Sequence, residues 1–241
     1  MAILFISDLH LDPSRPQITQ LFLDFLRKDA RKAEMLYILG DFFEAWIGDD
    51  DPDPHHASVM AGVRALTGSG VPVCFMHGNR DFLIGAGFAA NTGCSLLADP
   101  ALVSLCGTPT LLMHGDTLCT DDVEYQKFRR MVRDPAWQKS FLSKPLDERR
   151  AFAARARAES RTQTKTKAEY IMDVNQQTVA GIMRQYQVNR LIHGHTHRPA
   201  IHSFTESGQK KKRIVLGDWY KQGSILLVNN NDSELRALPL S

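Results

Sequence analysis

The sequence predicts an α/β fold in which two β-sheets pack as a sandwich flanked by helices. Three observations support this prediction. Short apolar runs alternate with stretches of helical periodicity through most of the chain. Near the C-terminus, strand-like runs follow one another with turns rich in Gly and Asn between them. Short polar motifs stand at the ends of the apolar runs, where open α/β sheets build their binding sites.

The apolar runs of the alternating part are typical of buried strands: residues 3–6, 35–39, 71–76, 111–113 and 191–192. Between the first two runs, apolar residues recur at helical intervals: Ile18, Leu21, Phe22, Phe25 and Leu26. This spacing predicts a helix with one face packed on a sheet. Residues 213–216, 224–228 and 234–238 also have strand patterns, with no helix between them. We therefore expect a second, largely antiparallel sheet.

The segment 122–170 interrupts this pattern and predicts a helical cap inserted into a core formed by residues 1–121 and 171–241. Strong helix formers dominate it, with apolar residues between them: Trp137, Phe141, Leu142 and Phe152. Residues 127–167 carry 13 Lys and Arg against four Asp and Glu, a net charge of +9, which leaves the other 200 residues at −7. This asymmetry is typical either of a surface that faces an anionic partner or of a solvated helical face.

The composition indicates an ordinary globular protein, with 43% hydrophobic and 23% charged residues. The first residues lack the basic leader of a signal peptide, and no run approaches the 18 or so apolar residues of a membrane span. The four cysteines lack zinc-ligand spacing, so we expect reduced thiols. These features favour a cytoplasmic protein.

Five short motifs follow the five predicted strands of the alternating part, and together they supply seven nitrogen and oxygen donors: Asp8, His10, Asp41, Asn79, His114, His195 and His197. Asp8 and His10 are two residues apart, so in an extended conformation their side chains lie on one side; His195 and His197 repeat this spacing. Seven donors exceed the needs of one ion. Two ions that share a carboxylate would use them all.

Two metal ions about 3.5–4 Å apart generate hydroxide near neutral pH and neutralise the charge of a transferred phosphoryl group. Each residue taken alone has a simpler interpretation, because an Asp after Gly is usually a turn residue and a single His beside a strand is usually packed or solvated. Five such motifs in order favour the metal site. We expect His77 and His193 to be structural, and the run 49–51 to be a solvated acidic loop.

These motifs resemble those of the calcineurin-like metallophosphoesterases, whose fold is a β-sandwich flanked by helices. The resemblance spans most of the chain. It implies one metal held by Asp8, His10, Asp41 and His197 and a second held by Asp41, Asn79, His114 and His195, with Asp41 as the bridge. Imidazole and carboxylate ligands without thiolate suit Mn²⁺, with Mg²⁺, Fe²⁺, Co²⁺ or Zn²⁺ as alternatives.

One residue departs from the wider family pattern, in which a His credited with protonating the leaving oxygen follows the motif Asn. Here that position is Arg80. Arginine is not a general acid at neutral pH, but its guanidinium binds phosphate oxygens in bidentate fashion. A phosphate leaving group needs little protonation, because the second pKa of a phosphomonoester is about 6. Arg80 therefore indicates cleavage of a pyrophosphate.

Longer runs around the motifs, such as 40–50 and 193–199, resemble the lipid A branch of this family, the UDP-2,3-diacylglucosamine pyrophosphohydrolases. The resemblance implies hydrolysis of UDP-2,3-diacylglucosamine to UMP and 2,3-diacylglucosamine 1-phosphate, with two Mn²⁺ per chain, at the cytoplasmic face of the inner membrane. It assigns Asp41, Asn79, Arg80 and His195 to catalysis. It places substrate contacts at Asn79, Arg80, Asp122, Ser160, Thr164, Lys167 and His195.

Two alternatives belong to different functional classes. A cyclic-nucleotide phosphodiesterase or a nuclease of the same fold is disfavoured by Arg80, and a nucleic-acid clamp would carry more aromatic residues among its basic ones. A non-enzymatic scaffold is disfavoured because all seven donors are present. We expect an anionic membrane surface as a peripheral partner, no nucleic acid and no obligatory protein partner.

Overall fold

The computed structural model describes residues 2–166, 171–206, 208–230 and 232–240, except for the side chains of residues 161 and 163–166. The strands are β1 (Ile3–Ile6), β2 (Met35–Leu39), β3 (Val73–Met76), β4 (Ser95–Leu97), β5 (Ala101–Leu105), β6 (Thr108–Met113), β7 (Arg190–His193), β8 (Ala200–Glu206), β9 (Gln209–Val215), β10 (Gly223–Val228) and β11 (Ser233–Leu238). The helices are α1 (Pro16–Lys28), α2 (Pro54–Gly68), α3 (Ala86–Thr92), α4 (Val123–Val132), α5 (Pro135–Leu142), α6 (Leu146–Thr166) and α7 (Gln176–Gln185).

The strands form two mixed sheets, which confirms the predicted sandwich flanked by helices. The first has the order β11-β10-β1-β2-β3-β4, and the second has the order β5-β6-β7-β9-β8. Strands β1 to β4 are parallel, as are β6, β7 and β9. The carboxyl ends of the strands that precede the five motifs therefore gather at one edge of the sandwich.

The prediction of one antiparallel C-terminal sheet was wrong. Strands β10 and β11 complete the first sheet, because β10 pairs antiparallel with β1 from Ile3↔Val228 to Phe5↔Leu226. Strand β9 instead extends the second sheet beside β7, in parallel register. Consecutive hairpin-like strands thus divide between the two sheets, and the strands β4, β5 and β8 had no sequence prediction.

Alternating side chains of the strands build three apolar clusters. Leu4 and Ile6 of β1 face α1 and α2, whereas Phe5 faces the other sheet and stacks on Tyr37 of the neighbouring strand β2. Residues of α7 such as Met183 cover the outer face of the second sheet. Both faces of each sheet are thereby covered. Strand β1, whose four residues are all buried, leads directly into the first polar motif.

Residues 123–166 form three successive helices, α4, α5 and α6, with no strand among them. Trp137, Phe141 and Phe152 pack together, with ring centroids 4.9–5.6 Å apart. Trp137 also approaches Phe82 of the core, at 6.3 Å. Among the described residues, none of the helices is both long and apolar enough to cross a bilayer. The four cysteines are free thiols, as expected.

The acidic run after β2 is exposed at Asp49 and Asp50, as the sequence suggested, but its carboxylates have specific partners that the sequence did not suggest. Asp49 accepts backbone N–H bonds at the start of α3, from Gly85 at 3.0 Å and Gly87 at 2.7 Å. Asp50 receives both terminal nitrogens of Arg149. Asp51 pairs with Arg150 at 2.7 Å. Each carboxylate therefore has a specific partner, and two of the partners lie on α6. The sequence could not show this, since the partners on α6 are 99 residues away and those of Asp49 are 36 and 38 residues away.

Candidate active site

Five loops at the carboxyl ends of β1, β2, β3, β6 and β7 bring the seven predicted donors together. The loops are tied to one another through the backbone: the Asp8 N–H bonds the carbonyl of Gly40 at 3.0 Å, and the Gly194 N–H bonds that of His114 at 2.8 Å. The Asp8 carboxylate in turn accepts from the His195 N–H at 2.9 Å. The two sheets are thus joined directly at the site.

The backbone at the site is unusual. Non-glycine residues rarely adopt positive φ, yet five of the seven donors do so: Asp8, His10, Asp41, His195 and His197. Each such conformation costs on the order of 1–3 kcal/mol and persists only where the surroundings fix it. The positive φ values therefore lower the stability of the fold and direct these side chains towards the site.

Six of the donors form two groups, and within each group the ligand atoms lie within 4.8 Å of one another. The first group is Asp8, His10 and His197, and the second is Asp41, His114 and His195. In the first, His10 Nε2 lies 3.3 Å from His197 Nε2, and His197 Nε2 lies 3.4 Å from Asp8 Oδ1. In the second, His114 Nε2 and His195 Nδ1 lie 3.0 and 2.8 Å from Asn79 Oδ1.

Asp41 stands between the groups. Its Oδ2 lies 3.7 Å from His10 Nε2, and its Oδ1 lies 3.7 Å from His114 Nε2. Asp41 and Asp8 are almost entirely buried, as are His10 and His114. A buried carboxylate that faces a different histidine with each oxygen has the geometry of a bridging ligand.

The donor set fits two divalent cations. The Nε2 atoms of His10 and His197 face each other at 3.3 Å, an arrangement in which both imidazoles can offer a lone pair to one cation. Burial would lower the pKa of His114, but the charges of Asp41, Asp116 and Asp8 raise it to about 9. Burial and the repulsion of His114 lower the pKa of His195 to about 4. The carboxylates that raise the pKa of His114 also give the site a negative potential that attracts cations.

Arg80 lies beside these groups. Its backbone N–H donates to Asp41 Oδ1 at 2.8 Å, and its Nη2 lies 3.5 Å from Ser160 Oγ on α6. Its Nε is buried and has no hydrogen-bond partner among the described residues. The guanidinium is therefore placed between the donor groups and the helical segment, with donor capacity to spare.

The remaining predicted substrate contacts have different outcomes. Asp122 is the N-cap of α4, where its side chain accepts from the Tyr125 N–H at 3.1 Å. Ser160 faces Arg80. Thr164 belongs to the backbone of α6, but its side chain lies outside the described residues, as does the whole of Lys167. As expected, His77 and His193 make structural contacts: His77 Nε2 bonds the Ile84 carbonyl at 2.7 Å, and His193 Nδ1 lies 2.9 Å from the Gly194 carbonyl oxygen.

Sequence reasoning missed two carboxylates that hold the site. Asp81 accepts the Phe42 and Gly78 N–H groups, both at 2.7 Å, and so joins the loops that carry Asp41 and Asn79. Burial and the nearby Asp41 raise the pKa of Asp81 to about 6. The signal was its place two residues after Asn79.

Asp116 is the second missed carboxylate, and it follows His114 by two residues. It receives the Tyr125 hydroxyl and Arg129 Nε, both at 2.7 Å. Burial would raise its pKa, but the positive charges of His114 and Arg129 hold it well below its usual range. The Tyr125 ring in turn lies 5.8 Å from that of His195. Asp116 therefore anchors the first helix of the helical segment to the second donor group.

The chain is similar in sequence and in fold to known proteins. The profile of the family described as calcineurin-like phosphoesterase matches residues 1–199. Relatives named UDP-2,3-diacylglucosamine hydrolase occur in Xanthomonas campestris pv. campestris, with 52% identity over the whole of both chains, and in Stenotrophomonas maltophilia, with 53% identity over 95% of each. One from Escherichia coli is 52% identical, covering 99% of this chain and all of the relative.

A solved structure described as a novel archaeal phosphodiesterase covers 99% of this chain and all of its own, with a TM-score of 0.52 and 12% identity. At that identity the likeness concerns the fold alone. Full-length relatives at about half identity, and a profile that spans the motifs through His197, lead to one conclusion. The chain belongs to the calcineurin-like phosphoesterase family.

Proposed function

We propose that this chain hydrolyses UDP-2,3-diacylglucosamine to UMP and 2,3-diacylglucosamine 1-phosphate. The observation that carries the proposal is the pair of donor groups joined by Asp41, with Arg80 beside them, in a chain about 52% identical over its full length to hydrolases named for this substrate. Asp8, His10, Asp41 and His197 would hold the first ion, and Asp41, Asn79, His114 and His195 would hold the second. Mn²⁺ is the ion that we assign, because the donors are imidazole, carboxylate and amide oxygen.

When bound, two such ions supply hydroxide near neutral pH and offset the charge of the phosphoryl group. Residues of the chain bind and orient the substrate. Arg80 binds the diphosphate oxygens, which orients the substrate and stabilises charge that grows on the leaving phosphate. The Asn79 amide oxygen lies 3.0 Å from His114 Nε2 and 2.8 Å from His195 Nδ1, close enough to share the second ion with them. Water attacks the α-phosphorus, the bond to the bridging oxygen breaks, and that oxygen leaves with the sugar 1-phosphate.

The direct test is incubation of purified protein and Mn²⁺ with a UDP-2,3-diacylglucosamine, followed by measurement of UMP. In ¹⁸O-water the label should appear in UMP; label in the sugar phosphate would contradict attack at the α-phosphorus. Asp41→Ala should lower turnover by orders of magnitude, because it removes a donor from both groups. Elemental analysis of the wild type should approach two ions per chain.

Arg80 acts as a clamp and not as a proton donor in this proposal. Arg80→Ala should therefore lose activity that Arg80→His does not restore, since histidine lacks both the bidentate geometry and the permanent charge. A histidine variant as active as the wild type would remove the clamp from the mechanism.

Residues 122–170 act as a cap that binds the acyl chains. A cavity of about 230 Å³ lies in this segment. Four apolar and four polar residues line it: Trp137, Phe141, Ala151 and Phe152, with Ser140, Lys144, Glu148 and Arg155. Burial of each CH₂ stabilises the complex by up to about 0.8 kcal/mol. Phe152→Asp should then reduce kcat/KM for the diacylated substrate much more than for a small soluble phosphodiester. Equal kcat/KM on the diacylated and deacylated sugar nucleotides would exclude the cap role.

The same proposal places the chain on the cytoplasmic face of the inner membrane as a peripheral protein. Its support is the net charge of +9 in residues 127–167, since basic segments are attracted to anionic lipid surfaces. Sedimentation with vesicles should show binding that rises with the fraction of anionic lipid and falls with salt. Binding independent of both would contradict this placement.

A further inference from the structure

Glu44 approaches His10 from the side opposite the donor group. His10 Nδ1 lies 3.1 Å from Glu44 Oε2, whereas Nε2 lies 3.3 Å from His197 Nε2 and 3.7 Å from Asp41 Oδ2. The Nδ1 atom is buried and has no hydrogen bond of regular geometry among the described residues, so its contact with Glu44 is that of an ion pair at hydrogen-bond distance. One ring nitrogen thus faces the donors and the other faces a carboxylate.

The position of Glu44 is fixed by the backbone. It follows β2 in the same loop as Asp41, and its N–H donates to the Leu11 carbonyl at 3.1 Å. The His10 carbonyl accepts from the Arg15 guanidinium. The imidazole of His10 stacks on the Tyr220 ring, with centroids 5.2 Å apart and planes inclined by 10°. These contacts hold the imidazole plane with Nδ1 directed towards Glu44.

In the second donor group, a backbone carbonyl and not a carboxylate faces the other ring nitrogen of the histidine. His114 Nδ1 bonds the Leu39 carbonyl oxygen at 2.8 Å, which leaves Nε2 for the ligand position. A histidine that binds metal usually gives its other N–H to a carbonyl or a carboxylate, which fixes the tautomer; a carboxylate also makes the imidazole a stronger base. His114 has the neutral acceptor, and His10 has the charged one.

From this contact we infer that Glu44 is a positioning residue of the first donor group, which fixes His10 in the tautomer with a free Nε2 and strengthens its bond to the ion. The inference rests on the two-metal site of the proposed function. Loss of such an outer carboxylate typically lowers metal affinity by about 10- to 100-fold. Because Glu44 contacts only the first group, one ion should weaken and the other should not.

The experiment titrates chelator-stripped protein with Mn²⁺, without substrate, by calorimetry and by electron paramagnetic resonance of free Mn²⁺. Glu44→Gln keeps an acceptor but loses the charge, and Glu44→Ala loses both. One of two binding steps should weaken by about 10-fold or more in Glu44→Ala and by less in Glu44→Gln. Glu234→Gln is the matched control, because this exposed glutamate pairs with Arg236 on β11.

A second readout reports the tautomer directly. In ¹⁵N-histidine protein loaded with diamagnetic Zn²⁺, the Nδ1–H proton of His10 should resonate far downfield and move upfield in Glu44→Gln. Unchanged affinities for both ions in Glu44→Ala would overturn the inference, and so would equal weakening of both ions. The wild type could bind two ions but release no UMP, while the Glu44 variants weaken one ion as expected. That result would overturn the proposed substrate and leave the role of Glu44 intact.

Discussion

Gly78 and Asp41 are packed backbone to backbone: a Cβ atom on Gly78 would lie 2.1 Å from the Asp41 nitrogen and 2.2 Å from its Oδ1. The obstacle is main chain and a buried carboxylate, neither of which can move aside. This contact is what brings the loop after β3, with Asn79, against the loop after β2. The absence of a side chain at residue 78 is therefore a requirement of the site.

Gly78→Ala should abolish metal binding and activity while the two sheets remain folded, because the added methyl pushes Asn79 away from Asp41. Circular dichroism and Mn²⁺ titration distinguish loss of the site from loss of the fold. Gly181→Ala is the control, since a Cβ there meets nothing within 4 Å. Gly181 lies inside α7, so alanine should stabilise the protein by roughly 0.5–1 kcal/mol. Full Mn²⁺ affinity in Gly78→Ala would contradict the close-contact argument.

The sequence was sufficient for the donors because each follows a strand whose pattern is local. The runs 3–6 and 35–39 became β1 and β2 without change, and parallel strands must gather their carboxyl ends. The identity of the seven donors followed from spacing and from resemblance. The resemblance also implied their division into two groups that share Asp41, and the structure adds the distances between the ligand atoms.

What the sequence could not provide was pairing between distant segments. Nothing local distinguishes β9, which joins the second sheet, from β10, which pairs with β1. The partners of Asp50 and Asp51 were hidden for the same reason. The roles of Asp81 and Asp116 follow from their hydrogen bonds to the backbone and to α4. In the sequence, a single carboxylate after a motif cannot be told from a turn residue.

Asp99 gives a stability effect with a defined pH window. Burial and the charge of Asp116 raise its pKa to about 6, against the attraction of His114, Arg129 and Arg133. Both carboxylate oxygens lack a hydrogen-bond partner among the described residues, and Arg129 is 4.0 Å away. The folded protein therefore binds a proton at Asp99 more tightly than the unfolded chain, so stability falls as pH rises from about 4 to about 6.

Asp99→Asn should remove this loss. Relative to the wild type, the variant should gain up to about 3 kcal/mol in the free energy of unfolding at pH 8, and the gain should vanish near pH 4. Urea unfolding at both pH values checks the difference. Asp147→Asn, at a position 96% exposed, controls for the loss of a charge. A gain that is the same at pH 4 and pH 8 would show that the titration of Asp99 is not its source.

The ion pair between Asp50 and Arg149 should set how well the helical segment binds substrate. Arg149 lies on α6 with its side chain 3% exposed, and it also donates to the Ile47 carbonyl at 2.8 Å. Asp50→Ala leaves this buried guanidinium with an incomplete set of acceptors, so α6 loses part of its attachment to the core. We expect KM for the diacylated substrate to rise several-fold, with Mn²⁺ affinity unchanged.

Steady-state kinetics on the diacylated substrate and on a small soluble phosphodiester separate the two effects. Asp147→Ala is the comparison, because Asp147 pairs with Arg150 of the same helix and does not bridge to the core by that contact. If Asp50→Ala harmed both substrates equally, the ion pair would act on the metal site and not through α6.

The left-handed backbone at the donors predicts an inverted preference between glycine and alanine. His197 has φ of +56°, a conformation that costs an L residue with a Cβ about 1 kcal/mol or more but costs glycine almost nothing. In chelator-stripped protein, His197→Gly should therefore be more stable than His197→Ala by about 1 kcal/mol, although glycine usually destabilises. Both variants lose the same imidazole contacts, so the difference isolates the backbone. His202 in strand β8 is the control, since its φ is not among the positive values, and there alanine should be the more stable. Thermal unfolding of the four variants gives both differences, and an alanine preference at residue 197 would show that the site carries no such strain.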